Sequence, residues 1–338
     1  MKGLKAVVIG AGVVGMSSAV CIAEALPYCS VTILAKNFSP DTTSDLAAGI
    51  LLPQQNPDIP VEHQRRWFKG TFDHLLGIVQ SPQASEAGVL LSSGYQLFKE
   101  VPSNKKPYWS DSLFGLRTMT DSEMKQFPNH KFGQAITTIK CESLTYLPWL
   151  KQRFLKAGGQ IQQQEVTDLQ QLAQTYDVMV NCSGLGSRFL VGDEQVYPVR
   201  GQILKVSAPW LKNFFRDNDG NTYIYPGIDS VTLGATQQIN DWSLEVDKQD
   251  SEGILKRCSD MVPALRSSVV LEECVGLRPG RRIIRLEREW LIIQDRQVLL
   301  VHNYGHASWG ISLSWGTALE ALDLVRQGLY EKPPWARL

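Results

Sequence analysis

The chain has 338 residues, with 34 Lys and Arg balancing 34 Asp and Glu, so its formal charge at pH 7 is zero. That balance excludes a strongly basic nucleic-acid or membrane surface and leaves a small molecule as the expected partner. Mean hydropathy is −0.15 and no apolar run after the first segment is long enough to cross a bilayer, so the sequence reads as soluble and globular, with one large or two modest domains.

The chain opens on an apolar run, Val7-Val8-Ile9, that breaks into Gly10-Ala11-Gly12-Val13-Val14-Gly15 and continues as a helix-forming stretch. Such a strand, glycine turn and helix predict a dinucleotide site: Gly10 for the tight turn, Gly12 for approach of a pyrophosphate to bare backbone, Gly15 for close packing. The phosphates then face unpaired N–H groups at a helix N-terminus. A basic start before small apolar residues also resembles a secretory signal, but the three glycines and Glu24 interrupt the continuous apolar helix that such a segment needs.

A helix is predicted over about Val13 to Leu26, stopped by Pro27, and then a parallel strand over Ser30–Leu34, which completes a βαβ unit. Where an acid for the ribose is expected, the chain has Lys36 and Asn37, with Asp41 the nearest carboxylate. That leaves open the 2′-phosphate of NADP or a ribose held by backbone and amide groups. The stretch Ser39–Gly49 reads as a loop meeting phosphates or a ring, as a helix start capped by Ser44 or Asp45, or as both. Helical periodicity follows over Glu62–Val79, then strand-like runs at Val89–Ser92 and Tyr95–Phe98, and a loop over Pro102–Lys106. A mixed, antiparallel-leaning second domain begins there.

Leu147–Ala157 reads as a helix closed by Gly158-Gly159, followed by a strand over Gln160–Val166. Asp177–Asn181 reads as a buried parallel strand ending in the glycine turn Ser183–Gly186, returning the chain to the first sheet. Short strands at Gly201–Val206, Thr222–Tyr225 and Val231–Leu233 place more of the second domain after it. A strand at Val298–Val301, a loop over His302–Gly310 and a helix from about Ile311 to Gln327 aim a second helix N-terminus at the site. The six cysteines, scattered without C-x-x-C or metal-ligand spacing, suit buried reduced thiols in an intracellular protein. His302 and His306 are expected as hydrogen-bonded residues, with no metal site.

Several motifs in fixed order carry a family resemblance: V-V-I-G-A-G-V-V-G at Val7–Gly15, F-S-P-D-T-T-S-D-L-A-A-G at Phe38–Gly49 and V-N-C-S-G-L-G-S-R at Val180–Arg188. P-V-R-G-Q at Pro198–Gln202, Y-I-Y-P-G at Tyr223–Gly227, G-L-R-P at Gly276–Pro279, R-L-E-R-E at Arg285–Glu289 and H-N-Y-G-H at His302–His306 complete the set. The chain resembles the D-amino-acid oxidase and D-aspartate oxidase family of FAD enzymes over nearly its whole length, and is most similar to the D-aspartate oxidase branch. The resemblance implies an α/β fold, with a Rossmann-like FAD-binding domain (1–52, 140–195 and 275–338) interleaved with a mixed, largely antiparallel α+β substrate domain (53–139 and 196–274). It implies oxidation of an acidic D-amino acid, with O₂ becoming H₂O₂, by hydride transfer from Cα to flavin N5, the imino acid then hydrolysing to a 2-oxo acid and ammonia.

The resemblance also assigns residues. Contacts to FAD are implied for Gly10, Gly12, Val13, Val14 and Gly15, for Lys36 and Asn37, and for Thr43, Ser44, Ala48 and Gly49. Val166, Ser183, Gly184 and Arg278 are implied on the facing wall, and Ala307, Ser308, Gly310, Ile311 and Ser312 at the last loop and helix. Arg278 is implied to take the α-carboxylate as a bidentate pair, assisted by Tyr223 with Tyr225. Because the two tyrosines alternate along a strand, one is expected to face the substrate and the other to pack in the core or at an edge. Arg216 and Ser308 match the acid-selective enzymes, with Arg216 pairing the side-chain carboxylate; its competing reading is a solvated charge beside Asp217. Those enzymes often place a second arginine where this chain has Gln237, which opens the alternative of a neutral or broad D-amino-acid oxidase. An NADP-dependent dehydrogenase, from Lys36, and a non-catalytic flavoprotein, from the lack of an acid–base dyad, rank below. Ala336-Arg337-Leu338 resembles the peroxisomal address S-K-L, implying a peroxisomal enzyme met by an import receptor, and otherwise a cytoplasmic one.

Overall fold

In the computed structural model, which describes residues 3–331 apart from Asp219 and Gln294, the strands sort into a six-stranded and a nine-stranded sheet. The tail Ala336–Leu338 lies outside the described residues. In the first sheet the opening strand, Leu4–Ile9, pairs in parallel with Cys29–Ala35 on one side and Val178–Asn181 on the other. Gln160–Gln163 extends it beyond the former, and Arg296–Tyr304 beyond the latter, with Arg285–Ile293 antiparallel at the edge. Both faces are covered, which is why the central strands are apolar throughout. Ala6 and Val8 face one core with Val31, Ile33, Val178 and Val180, while Val7 and Ile9 face a second with Leu34 and Met179.

Helix Val13–Ala25 packs against helix Gly310–Tyr330, and helix Val61–Val79 packs against the latter in turn. The second crossing is close because Gly316 lies on the Trp67 carbonyl, 2.0 Å from where a Cβ would stand, and its N–H donates to Thr71 Oγ1 at 3.0 Å. Trp67, Phe68, Phe72 and Leu75, spaced at helical intervals, are buried on that face.

The nine-stranded sheet runs Gln238–Ile239, Tyr197–Ser207, Val231–Gly234, Tyr223–Pro226, Phe214–Asp217, Val89–Phe98, Phe132–Cys141 and Phe114–Thr118, with Val269–Gly280 paired along Tyr197–Ser207. Its pairings are antiparallel except that Val89–Phe98 runs parallel to Phe214–Asp217. The runs expected at 89–92 and 95–98 are one strand. Gly94 does not break it; a Cβ there would lie 2.1 Å from the Phe214 carbonyl, so the glycine serves the neighbouring strand's approach.

Other boundaries move for local reasons. The helix expected from Leu147 starts at Ser143, with Pro148 inside it; Pro148 lacks only the N–H that would meet the carbonyl of Leu144, an exposed residue. Helix Lys248–Met261 escaped the periodicity reading, being mostly polar, although Asp247 marks its start by accepting the Asp250 N–H at 2.9 Å. Strands Phe114–Thr118, Phe132–Cys141 and Arg285–Ile293 also went unread. The boundaries expected at 139/140 and 274/275 fall inside Phe132–Cys141 and Val269–Gly280, so the strand bearing Arg278 belongs to the second sheet.

Candidate active site

A cavity of about 520 Å³ runs between the two sheets, and every residue assigned above to substrate or FAD lines it. At one end Gly10, with φ +107°, turns the chain from strand to helix so tightly that a Cβ would sit 2.4 Å from the Cys182 carbonyl. Gly12 caps helix Val13–Ala25 without a side chain; the Val13 N–H instead donates to Ser44 Oγ at 3.0 Å, a cap delivered from a distant loop. Neither Ser44 nor Asp45 is the N-cap residue of this turn. The 3₁₀ turn Thr43–Leu46 is capped by Thr42, and buried Asp45 accepts from the Thr42 N–H at 2.9 Å and hydroxyl at 2.6 Å, and from Ser39 Oγ at 2.5 Å.

Thr43, Ala48 and Gly49 continue this wall, with Ser183 and Gly184 facing them and Val14 and Gly15 inside the first helix. Lys36 and Asn37 stand at the end of strand Cys29–Ala35, and the acid absent from that strand arrives from another: Glu165 reaches Lys36 Nζ at 3.1 Å, beside Val166. Glu165 was missed because it lies far along the chain and meets Lys36 only through the parallel pairing of Gln160–Gln163. Bare glycine backbone, a helix start and hydroxyls along one cavity wall fit a dinucleotide such as FAD.

The other end is built by Tyr304–Ser312. Ala307, Ser308 and Trp309 form a 3₁₀ turn, and Gly310, Ile311 and Ser312 begin the last long helix. Tyr304 fixes the base of this loop, donating to Asp193 Oδ2 at 2.8 Å and accepting from Arg285 at 2.9 Å, while Arg281 pairs with the same carboxylate at 2.9 Å. His306 is buried against Thr317 Oγ1 at 3.0 Å, and burial pushes its pKa down to about 3, so it is neutral. His302 lies 2.8 Å from Glu289 Oε1, its pKa also lowered chiefly by burial. Among the described residues no group of three or more His, Cys, Asp or Glu is placed to hold a metal. Burial raises the Cys182 thiol to about 12, which leaves this cavity-lining cysteine protonated.

Between these ends the second sheet presents its polar side chains. Arg216 is only 4% exposed, which removes the reading of a solvated charge. Alternation along its strand turns Asp217 the other way, to His130 at 3.1 Å and Lys99 at 3.5 Å. Arg216 Nη1 donates to the Leu52 carbonyl, and its guanidinium lies 5.6 Å from the Trp309 ring centroid. Tyr223 stands directly opposite Arg216 in the register. Both tyrosines line the cavity, contrary to the expectation that only one faces it: residues two apart on a strand share a face, and their rings stack at 4.4 Å and 11°. Burial raises the pKa of both hydroxyls, with Arg278 drawing Tyr223 and Arg216 drawing Tyr225 back down, so both remain protonated donors at neutral pH.

Arg278 Nη1 donates to the Thr236 carbonyl at 3.1 Å, and the guanidinium lies flat over Gly201, where a Cβ would come within 2.1 Å of Nη1. Gly234 gives the Tyr223 ring the same room, at 2.1 Å from Cζ. Gln237 is exposed at the rim, its amide donating to the Gly220 carbonyl at 3.0 Å. Leu52, Trp309, Gly201 and Gly234 were not singled out as site residues; glycines inside strands were the legible signal for the last two. Neither Arg216 nor Arg278 is ion-paired among the described residues, so the cavity holds two guanidiniums with capacity for anions.

A family model described as FAD dependent oxidoreductase matches residues 5–324. The chain is 51% identical to the D-aspartate oxidase of Homo sapiens over 320 residues, 95% of this chain and 94% of that protein. It is 37% identical to a D-amino-acid oxidase of Rubrobacter xylanophilus, covering 96% of this chain and 97% of that one. The fold is similar to a glycine oxidase from Geobacillus kaustophilus, with a TM-score of 0.76 at 19% identity over 98% of this chain and 96% of that one. The chain belongs to the FAD-dependent oxidoreductase family in which D-aspartate and D-amino-acid oxidases are found, and its cofactor is FAD rather than NADP.

Proposed function

We propose that the enzyme oxidises D-amino acids bearing a second carboxylate, D-aspartate foremost and D-glutamate with it, to the 2-oxo acid, ammonia and H₂O₂. One observation carries this reading: two buried or half-buried guanidiniums, Arg216 and Arg278, share a cavity without acidic partners among the described residues. An unpaired buried cation is costly, and a dicarboxylate answers both. FAD, held by this cavity, would supply the two-electron oxidation chemistry, with O₂ as the final electron acceptor.

The protein's own residues bind and orient. Arg278 holds the α-carboxylate as a bidentate pair, and the Tyr223 hydroxyl donates beside it, with Tyr225 stacked behind. Arg216 takes the side-chain carboxylate, and Ser308 lies at the same wall. The dinucleotide is held by the Gly10–Gly15 turn, Ser44 and the loop to Gly49, Ser183–Gly184, the Lys36–Val166 end and the start of the last helix. The contribution of these residues is positioning: they hold the substrate by its charged ends and so fix where its Cα lies.

The test is an H₂O₂ assay of purified, flavin-loaded enzyme across D-Asp, D-Glu, D-Ala and L-Asp. Turnover of D-Asp and D-Glu well above D-Ala, and none of L-Asp, is expected; D-Ala equal to D-Asp overturns the acidic preference. A broader D-amino-acid oxidase is the second reading, favoured by Gln237, which is neutral and already engaged with Gly220. For either substrate preference we also propose delivery to peroxisomes by an import receptor through Ala336-Arg337-Leu338. A fluorescent fusion ending in these residues should be punctate, and diffuse without them; equal distributions overturn it.

A further inference from the structure

We infer that Trp309 is a specificity-determining residue: its ring holds the Arg216 guanidinium in the position that meets a side-chain carboxylate. The inference rests on the acidic-substrate reading above.

A long arginine side chain free to sample rotamers makes a poor carboxylate receptor, because the substrate must then bear the ordering cost. Arg216 is restrained from two directions. Its Nη1 donates to the Leu52 carbonyl, and that segment is itself fixed, with the Leu51 N–H on the Ile139 carbonyl at 3.0 Å and the Thr138 hydroxyl on the Leu51 carbonyl at 2.9 Å. The Trp309 ring lies against the guanidinium at 5.6 Å, within the range in which a ring face attracts a cation. No carboxylate does this holding among the described residues, so the charge stays available to a ligand.

Trp309 is also placed to tie this arginine to the cofactor half of the cavity. It closes the 3₁₀ turn Ala307–Trp309, its N–H donates to the His306 carbonyl at 2.9 Å, and the next residue starts helix Gly310–Tyr330, whose first turn lines the cavity. The ring therefore fixes Arg216 relative to the same turn that borders the flavin site. Acid selectivity then depends on a residue that acts through the arginine.

The experiment compares Trp309→Leu, which removes the ring, with Trp309→Phe, which keeps one, both as FAD-loaded proteins checked by flavin absorbance. Two readouts are taken: kcat/KM for D-Asp and for D-Ala, and Kd for succinate against butyrate, followed through the flavin spectrum. Trp309→Leu is expected to raise the D-Asp KM and the succinate Kd about tenfold or more beyond any change in the D-Ala KM and the butyrate Kd, and Trp309→Phe to lose only about two- to threefold in the same comparison. Equal losses for D-Asp and D-Ala, an unchanged succinate Kd, or Trp309→Phe no better than Trp309→Leu overturns the inference. If Trp309→Leu does not retain FAD, Trp309→Phe decides: a selective fall in D-Asp over D-Ala supports it, and no fall overturns it. A parent enzyme that binds succinate no more tightly than butyrate refutes the acidic-substrate reading itself, whereas an acid preference insensitive to position 309 refutes this inference alone.

Discussion

Replacing Gly201 by alanine separates catalytic geometry from folding. The added methyl would stand 2.1 Å from Nη1, 2.2 Å from Nη2 and 2.3 Å from Cζ of Arg278, where packed atoms keep about 3.5–4.0 Å. The guanidinium must withdraw by about 1.4 Å or more to restore contact distance, giving up its 3.1 Å bond to Thr236. The obstructed atoms are the far end of a flexible side chain and Gly201 does not have a positive φ, so the strand pairing with Val269–Gly280 survives. A misplacement of about 1 Å in a group that orients substrate costs on the order of 10²-fold, or about 2.7 kcal/mol of transition-state stabilisation. The expected result is therefore a kcat/KM for D-Asp lowered about a hundredfold, D-Ala lowered alike, with an unchanged flavin spectrum and a melting temperature within a few degrees. Activity within threefold of the parent, or a loss matched by loss of FAD, refutes the assignment of Arg278 to the α-carboxylate.

Arg216→Leu should lower kcat/KM for D-Asp by about 10- to 150-fold through loss of charge-assisted hydrogen bonds, leaving D-Ala nearly unaffected; equal losses in parallel assays contradict the role. Gln237→Arg adds a cation at the rim beside Gly220, and should raise the ratio of D-Asp to D-Ala turnover; an unchanged or lower ratio shows that the rim does not meet the substrate. Ser44→Ala strips the acceptor from the Val13 N–H at the start of the first helix, and denaturant unfolding of the flavin-free protein should show a loss of about 1 kcal/mol. Half-buried His74 and buried His306 are held neutral, with pKa values lowered to about 3 chiefly by desolvation. The unfolded chain binds protons at these sites below about pH 6.5 while the fold does not, so stability is full above that pH and falls from pH 6.5 toward 3, by up to about 1.4 kcal/mol per pH unit for each histidine. Thermal melts of the parent and of His306→Gln between pH 7 and 4.5 check this: the variant should show the shallower decline, and parallel curves would count against it.

Much of the nucleotide half was legible because its signals are local. The strand, glycine turn and helix of Leu4–Ala25 occupy one continuous segment, and the same pattern recurs at Val178–Gly186 and Arg296–Tyr330. Apolar runs at these strands announced a sheet covered on both faces. The strands that went unread, such as Phe132–Cys141 and Phe114–Thr118, mix polar and small residues whose burial is set by neighbours far along the chain.

What the sequence by itself determined was the kind of site: glycines where backbone must approach a dinucleotide, and arginines with tyrosines in a chain without net charge. Residue types and short spacings suffice for that, since each device works within a turn or a strand. Only the tertiary structure decided which side chains share the cavity. Glu165 meets Lys36, Ser44 caps a helix thirty-one residues away in sequence, Gly201 admits Arg278, and Leu52 with Trp309 holds Arg216. These pairings arise where the two sheets and their connecting loops converge, and the separations they bridge are set by strand register and packing, which no local pattern encodes.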